Sequence, residues 1–279
     1  MFESHFGLRA APFQLSPDPS FYYKSRGHSQ ALAYLKFGVH QREGFIVVTG
    51  EIGAGKTTIV RTLLEGLDPE QVVAAQVVNT QLNENELLAS ICSAYGVPVQ
   101  GHSKAQLIST LEAFFTAVAA GGRRALLVVD EAQNLGKREI EELRMLSNFQ
   151  LGNHALLQSF LVGQPELRVM LGSPSMEQLR QRVIASCHLG PLSQAETRQY
   201  IDHRMQFVGW NGETVFDDDA VAQIFASTGG IPRRINLLCT RLLLSAFLEA
   251  RQQVDATQVR ATASELEGES GMLAITLSS

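Results

Sequence analysis

Eight residues, Gly50-Glu51-Ile52-Gly53-Ala54-Gly55-Lys56-Thr57, satisfy the pattern G-x-x-x-x-G-K-[ST] at every fixed position. The run before them, Phe45-Ile46-Val47-Val48-Thr49, is β-branched and aromatic, and of strand length. The run after them, Thr58-Ile59-Val60-Arg61-Thr62-Leu63-Leu64, spaces its apolar positions as a helix does. A glycine-rich loop between strand and helix turns successive backbone N–H groups inward, and the helix N-terminus adds partial positive charge. Such a loop binds phosphate, so Gly50, Glu51, Ile52, Gly53, Ala54, Gly55, Lys56, Thr57 and Thr58 are the expected nucleotide cradle. Lys56 is expected to reach the β- and γ-phosphates, and the Thr57 hydroxyl to ligate Mg²⁺. A loop of this kind also constrains the fold, because it requires an α/β chain with a parallel sheet.

Binding alone needs no second motif, but hydrolysis does. Ala125-Leu126-Leu127-Val128-Val129 reads as a buried strand, and it ends in Asp130-Glu131. Asp130, at the strand end, is expected to hold Mg²⁺ through the ion's water shell. Glu131 is expected to polarise the water that attacks the γ-phosphate.

The chain has 279 residues, enough for one large or two modest domains. Its 45% hydrophobic and 18% charged residues are ordinary for a globular protein. A net charge of −5 supplies no general attraction for nucleic acid or an anionic membrane. No stretch approaches the length of a membrane span, and the N-terminus lacks the basic-then-apolar order of a secretory signal. Cys92, Cys187 and Cys239 are far apart and form no C-x-x-C pair, which fits reduced thiols in a cytoplasm.

Further strands are expected over residues 72–79 and 155–162, with a fifth at Ser186-Cys187-His188-Leu189. Helices are expected over 84–95, 104–119 and 138–148. Beyond residue 191 the pattern is helical throughout. Ser193-Gln194-Ala195-Glu196 forms a capping box opening a helix to about residue 208, and Asp217 to Asp219 cap a second that ends at Gly229-Gly230. Pro232 starts a third, and Asp255 or Thr257 opens the last. The expected organisation is an N-terminal segment (1–44) packing on the core, an α/β core (45–191), a helical lid (192–267) and a flexible tail (268–279).

Three more positions gain roles from their places in this pattern. Gln164 follows the fourth strand, at the carboxyl edge where open α/β sheets bind ligands, and is placed to bond the γ-phosphate or the attacking water. Arg180 and Arg182 precede the last strand, where an arginine can serve a neighbouring subunit's γ-phosphate. Arg233 stands in the first turn of the third lid helix, within reach of a nucleotide when the lid closes.

The constellation resembles the AAA+ ATPases over nearly the whole chain, and within them the bacterial group of general secretion pathway protein A. That group includes homologues tied to mannose-sensitive haemagglutinin pili and to exosortase and exopolysaccharide loci. The segments carrying the resemblance are Phe6-Gly7-Leu8, Ala11-Pro12-Phe13, Phe21-Tyr22 with His28 and Ala31-Leu32, and Glu43-Gly44-Phe45. With them go Asp130-Glu131-Ala132-Gln133, Leu161-Val162-Gly163-Gln164-Pro165-Glu166-Leu167 and Gly230-Ile231-Pro232-Arg233-Arg234-Ile235-Asn236. The resemblance implies sensor 1 at Gln164, where the wider superfamily has Asn or Thr. It also implies an arginine finger at Arg182, with Arg180 the alternative, and sensor 2 at Arg233. ATP rather than GTP, and an adenine lying near Phe21, Tyr22 and His28, are implied in the same way; the same residues can instead anchor the N-terminal segment. The function implied is Mg²⁺-dependent ATP hydrolysis by a cytoplasmic homo-oligomer, a ring. It would act on secretion, pilus or exopolysaccharide proteins and meet the inner membrane through those partners. The alternatives are a DNA-binding AAA+ regulator of transposition type, against which the acidic balance stands, and a nucleotide-gated scaffold.

Overall fold

The computed structural model describes residues 2–16, 19–78, 81–99, 101, 103–212 and 215–276. Five strands, β1 (Phe45–Gly50), β2 (Val72–Val77), β3 (Arg124–Val129), β6 (Leu157–Gly163) and β7 (Val183–Leu189), form one sheet in the order β2-β3-β6-β1-β7. Every pairing in that sheet is parallel. A parallel sheet covered on both faces needs apolar side chains on both, which is why β1 and β6 are buried at every position. One face gathers Phe45, Val47, Leu127, Val129 and Leu161 against Leu87, Leu88, Leu111, Phe115 and Leu143. Those partners come from α4 (Glu84–Ala94), α5 (Lys104–Ala120) and α6 (Lys137–Leu146). Each fully buried Leu, Ile or Phe of this kind contributes about 1.5–3 kcal/mol of transfer free energy.

By contacts the chain divides into two units. The sheet unit is Arg26–Glu51 with Lys56–Leu189; it also holds α2 (Arg26–Gln41), α3 (Lys56–Glu65), α7 (Pro165–Gly172) and α8 (Glu177–Arg180). The helical unit is Gly190–Ser279 with Met1–Ser25 and the loop residues Ile52–Gly55. Its helices are α1 (Phe2–His5), α9 (Gln194–Phe207), α10 (Asp218–Thr228), α11 (Pro232–Leu248) and α12 (Ala256–Thr276).

Local chemistry sets the helix starts. Ser193 accepts from the Glu196 N–H at 3.2 Å while Glu196 accepts from the Ser193 N–H at 3.0 Å, the reciprocal pair that the spacing predicts. Asn83 with Glu86 and Ser103 with Gln106 cap α4 and α5 in the same way. Asp217 caps α10, and Gly229, at φ 61°, ends it in the left-handed conformation. Asp255, not Thr257, opens α12, accepting from the N–H groups of Thr257 and Gln258.

The first 44 residues divide between the two units. Residues 2–25 belong with the helical unit and α2 with the sheet unit. The reason lies in their partners. Phe6, Leu8, Phe13 and Phe21 join the apolar cluster of Tyr200, Met205, Phe216, Leu238 and Leu242. The carbonyls of Pro12, Phe13 and Gln14 are met by side chains of Arg204, Thr240 and Asn236. The last helix continues to Thr276, past Gly268 where a flexible tail was expected; residues 277–279 of that tail lie outside the described residues. The second strand stops at Val77, and Asn79, its expected end, also lies outside them. The fourth strand of the sheet begins at Leu157 rather than residue 155. A two-stranded hairpin, β4 (Gln150–Leu151) with β5 (His154–Ala155), precedes it. Among the described residues no helix is long and apolar enough to cross a membrane.

Candidate active site

Strand β1 delivers the glycine-rich loop at its carboxyl end, and α3 starts at Lys56. Gly53 and Gly55 take φ values of 82° and 96°, which side chains with a Cβ rarely adopt. Lys56 is buried, and its ammonium donates to the carbonyls of Gly50 at 2.8 Å and Glu51 at 3.0 Å. Burial lowers its pKa, against the pull of the Glu131, Asp130, Glu51 and Glu166 carboxylates.

Asp130 lies one residue past β3, its N–H donating to the Val77 carbonyl at 2.9 Å. Its Oδ2 accepts from the Thr57 hydroxyl at 3.3 Å and, at 3.5 Å, from Gln76 on β2; its Oδ1 accepts from the Glu131 N–H at 3.0 Å. Burial, reinforced by the Glu131 charge, raises the Asp130 pKa, while the Glu131 N–H, the Thr57 hydroxyl and Lys56 oppose the rise. A hydroxyl and a carboxylate are hard oxygen donors, and the pair fits Mg²⁺, which takes few protein ligands and keeps much of its water. No group of three or more His, Cys, Asp or Glu side chains forms a metal cage among the described residues.

Glu131 adopts φ 50° and ψ 37°, left-handed for a residue with a side chain. Its Oε2 accepts from Gln133 Nε2 at 2.6 Å and from Gln164 Nε2 at 3.1 Å. Burial pushes its pKa up, but the two amides and Lys56 outweigh that and hold the net value below the usual carboxylate range. Gln164 stands at the N-cap position of α7, at the end of β6, with its side chain turned to Glu131 rather than to the helix, and its N–H donates to Gln133 Oε1 at 3.0 Å. In the sheet unit the sequence-derived residues Thr57, Asp130, Glu131 and Gln164 therefore form one hydrogen-bonded cluster, and the Lys56 ammonium feels the charge of its two carboxylates. Gln133 and Gln76 join it, though the sequence reading assigned neither a role. The available signal for Gln133 was its place two residues after Glu131, on the turn that follows the strand.

Arg182 is not in this cluster. It precedes β7, and its carbonyl accepts from Phe45 N–H at the start of β1. It thus sits at the amino edge of a parallel sheet whose carboxyl edge carries Asp130 and Gln164, about 20 Å away along a seven-residue strand. Its guanidinium donates to the Ser147 hydroxyl at 3.1 Å and carbonyl at 3.3 Å. Arg180 donates to the carbonyls of Leu171 at 2.8 Å and Ser173 at 2.6 Å. In the helical unit, Arg233 is exposed in the first turn of α11, and its N–H donates to the Gly53 carbonyl at 3.2 Å. A Cβ at Gly53 would lie 2.3 Å from the Arg233 Cβ, so the loop needs glycine there. Phe21 is buried, 4.4 Å from the Phe207 ring and 4.6 Å from the Arg204 guanidinium, which leaves its faces occupied rather than open to a purine. His28 is buried in α2.

Residues 39–171 match a family model described as an AAA domain. General secretion pathway protein A of Aeromonas hydrophila is 38% identical over 269 residues, which cover 96% of this chain and 49% of that protein. The chain thus spans about half the length of that relative. Among solved structures, the Cdc6p protein of Pyrobaculum aerophilum superposes with a TM-score of 0.67 at 17% identity, covering 94% of this chain and 70% of that one. The Aeropyrum pernix ORC2 protein in ADPNP–ADP complexes gives 0.61 at 19% identity, covering 88% and 71%. Both likenesses are of fold.

Proposed function

We propose that this chain, similar to general secretion pathway protein A and matched by an AAA domain model, is an AAA+ P-loop ATPase that hydrolyses ATP with Mg²⁺ to remodel or position envelope-assembly proteins. The observation that carries this reading is the bonded series Thr57–Asp130–Glu131–Gln164 at the carboxyl edge of the sheet, with the Lys56 ammonium at the same edge. The backbone N–H groups of residues 50–58 cradle the phosphates, and Lys56 exchanges its carbonyl partners for β- and γ-phosphate oxygens. Thr57, and Asp130 through the ion's water shell, would hold Mg²⁺, which would supply neutralisation of the triphosphate charge. Glu131 orients the attacking water and takes its proton, and Gln164 reads the γ-phosphate. Arg182, too far from its own chain's Asp130, stabilises the transferring charge on a neighbouring subunit, which makes the active form a homo-oligomer, a ring. Arg233 follows the nucleotide from the helical unit. The protein works in the cytoplasm and meets the inner membrane through secretion, pilus or exopolysaccharide partners.

The test is turnover. Glu131→Gln should bind ATP with near-normal affinity and lose kcat by about 100-fold or more; full turnover would sink the assignment. Arg182→Ala should also bind without hydrolysing, and mixing it with Lys56→Ala should restore part of the rate. Strong, salt-sensitive stimulation by double-stranded DNA would favour a DNA-associated role instead.

A further inference from the structure

The Glu131 carboxylate is held by two neutral amides that arrive from different elements. Gln133, on the 3₁₀ turn Ala132–Asn134 after β3, donates to Oε2 at 2.6 Å; Gln164, at the end of β6, donates to the same oxygen at 3.1 Å. The other end of the Gln133 amide is used as well, because its Oε1 accepts the Gln164 N–H at 3.0 Å. One side chain thereby ties the carboxylate that follows β3 to the backbone that follows β6. A planar amide carries donor and acceptor together and makes both bonds; ionised Glu lacks the donor, and Met lacks the donor and offers only a weak sulfur acceptor. Gly163 makes the approach possible, since a Cβ there would lie 2.7 Å from Gln133 Oε1. The backbone of Glu131 is left-handed, at φ 50° and ψ 37°, a conformation that residues with a Cβ rarely adopt.

We propose that Gln133 is a positioning residue for hydrolysis, fixing the Glu131 carboxylate and locking it to the strand end that bears Gln164. The separation between water-orienting carboxylate and γ-phosphate-reading amide is thereby set by one side chain. This rests on the reading of Glu131 as the base. Gln133 itself meets neither the nucleotide nor the metal in that mechanism and acts through Glu131.

The experiment compares Gln133→Met, Gln133→Glu, Gln164→Met and the double methionine variant with the intact protein. Turnover is measured at saturating ATP, and ATP affinity by calorimetry. Gln133→Met should lower kcat by about 10- to 100-fold, the cost of a base displaced by a fraction of an ångström to an ångström, and leave Kd within about twofold. Gln133→Glu keeps the acceptor and the shape but faces carboxylate with carboxylate, so it should fall further. The double variant should lose less than the product of the single losses, because the two amides act on one oxygen. Should Gln133→Met not fold, Gln133→Glu, of unchanged shape, carries the same reading. Wild-type kcat in Gln133→Glu, or parallel loss of affinity and kcat in both variants, overturns the proposal and leaves Gln133 a structural residue. Full turnover in Glu131→Gln removes the base assignment and this proposal with it. An inactive Glu131→Gln beside a fully active Gln133→Met removes the positioning role alone.

Discussion

The sheet unit and the helical unit each bury charge, and they use it differently. In the sheet unit the buried ions are Lys56 and Asp130, 6% and 7% exposed, of opposite sign and each with its pKa displaced by burial. In the helical unit the buried ion is Arg204, 6% exposed, with no carboxylate within ion-pair distance among the described residues. Its guanidinium donates to the Pro12 carbonyl at 2.6 Å, the Tyr200 hydroxyl at 2.9 Å and the Gln14 carbonyl at 3.4 Å, and lies over the rings of Phe21 and Tyr200. Tyr200 passes the network to Asn236 at 2.7 Å, which returns to Gln14. Arg204 is thus solvated by dipoles and π-faces, and it fastens the N-terminal segment to α9. A buried charge beside others of both signs signals chemistry; one surrounded by carbonyls and rings signals anchoring.

Reciprocal substitutions would break this contrast if it is wrong. Lys56→Met should weaken ATP binding by about 100- to 1,000-fold, or ~3–4 kcal/mol, while the nucleotide-free protein melts within about 2 °C of the original. Calorimetry and thermal unfolding together decide this, and unchanged affinity with lost stability would make Lys56 an anchor like Arg204. Arg204→Met should do the reverse. Leaving the Pro12 carbonyl and the Tyr200 hydroxyl without their buried donor should cost about 2–3 kcal/mol. Limited proteolysis should then cut within the first 20 or so residues, whose ties to α9 the substitution removes. Unaltered cleavage and stability would show that the segment is held by its phenylalanines alone.

The smallest expected effect is one of pH. The Nε2 of His203, beside Arg204, is buried without a hydrogen-bond partner among the described residues, and burial, then the Arg204 charge, lower its pKa. The unfolded imidazole takes up its proton at the ordinary value near 6.5, before the folded one does. Stability is therefore fully present above about pH 6.5 and falls as pH drops below it toward the lowered folded value. Urea unfolding at pH 7.5 and 5.5 should show that fall, and His203→Phe should reduce it; an equal fall in both proteins would assign it to other groups.

Among the strands, the central ones were legible because their burial is uniform. Strands β1 and β3 read as largely apolar runs because helices cover both faces of the sheet, and β6 as an apolar run interrupted by the buried Gln158 and Ser159. Strand β7 read short. It is an edge strand whose first pairings shift register, and Ser186 and His188 on it are exposed, so Val183 and Ile184 carried too weak a pattern. The hairpin between Gln150 and Ala155 is too brief for any periodicity, and only the Gly152-Asn153 pair, with Gly152 at φ 61°, marks the turn. The last helix outruns Gly268 although glycine lowers helix propensity by about 1 kcal/mol. Of the site, the loop and the acidic pair were readable because fixed spacing on one strand–loop–helix unit is a local property. Gln133 escaped a role because its partners are Glu131 and Gln164, and the second lies 31 residues on.

The sequence by itself determined that a phosphate loop sits between a strand and a helix, that Asp130 and Glu131 end another strand, and that the chain turns all-helical after the last strand. Periodicity, capping residues and glycine spacing act over a few residues, so they are written in the chain. Only the tertiary structure decided that residues 2–25 join the helical unit, that Arg182 stands at the opposite sheet edge from Asp130, and that two glutamines grip one oxygen of Glu131. Those outcomes depend on which distant surfaces bury one another and which buried donors meet which acceptors, and strand order, not local pattern, settles that.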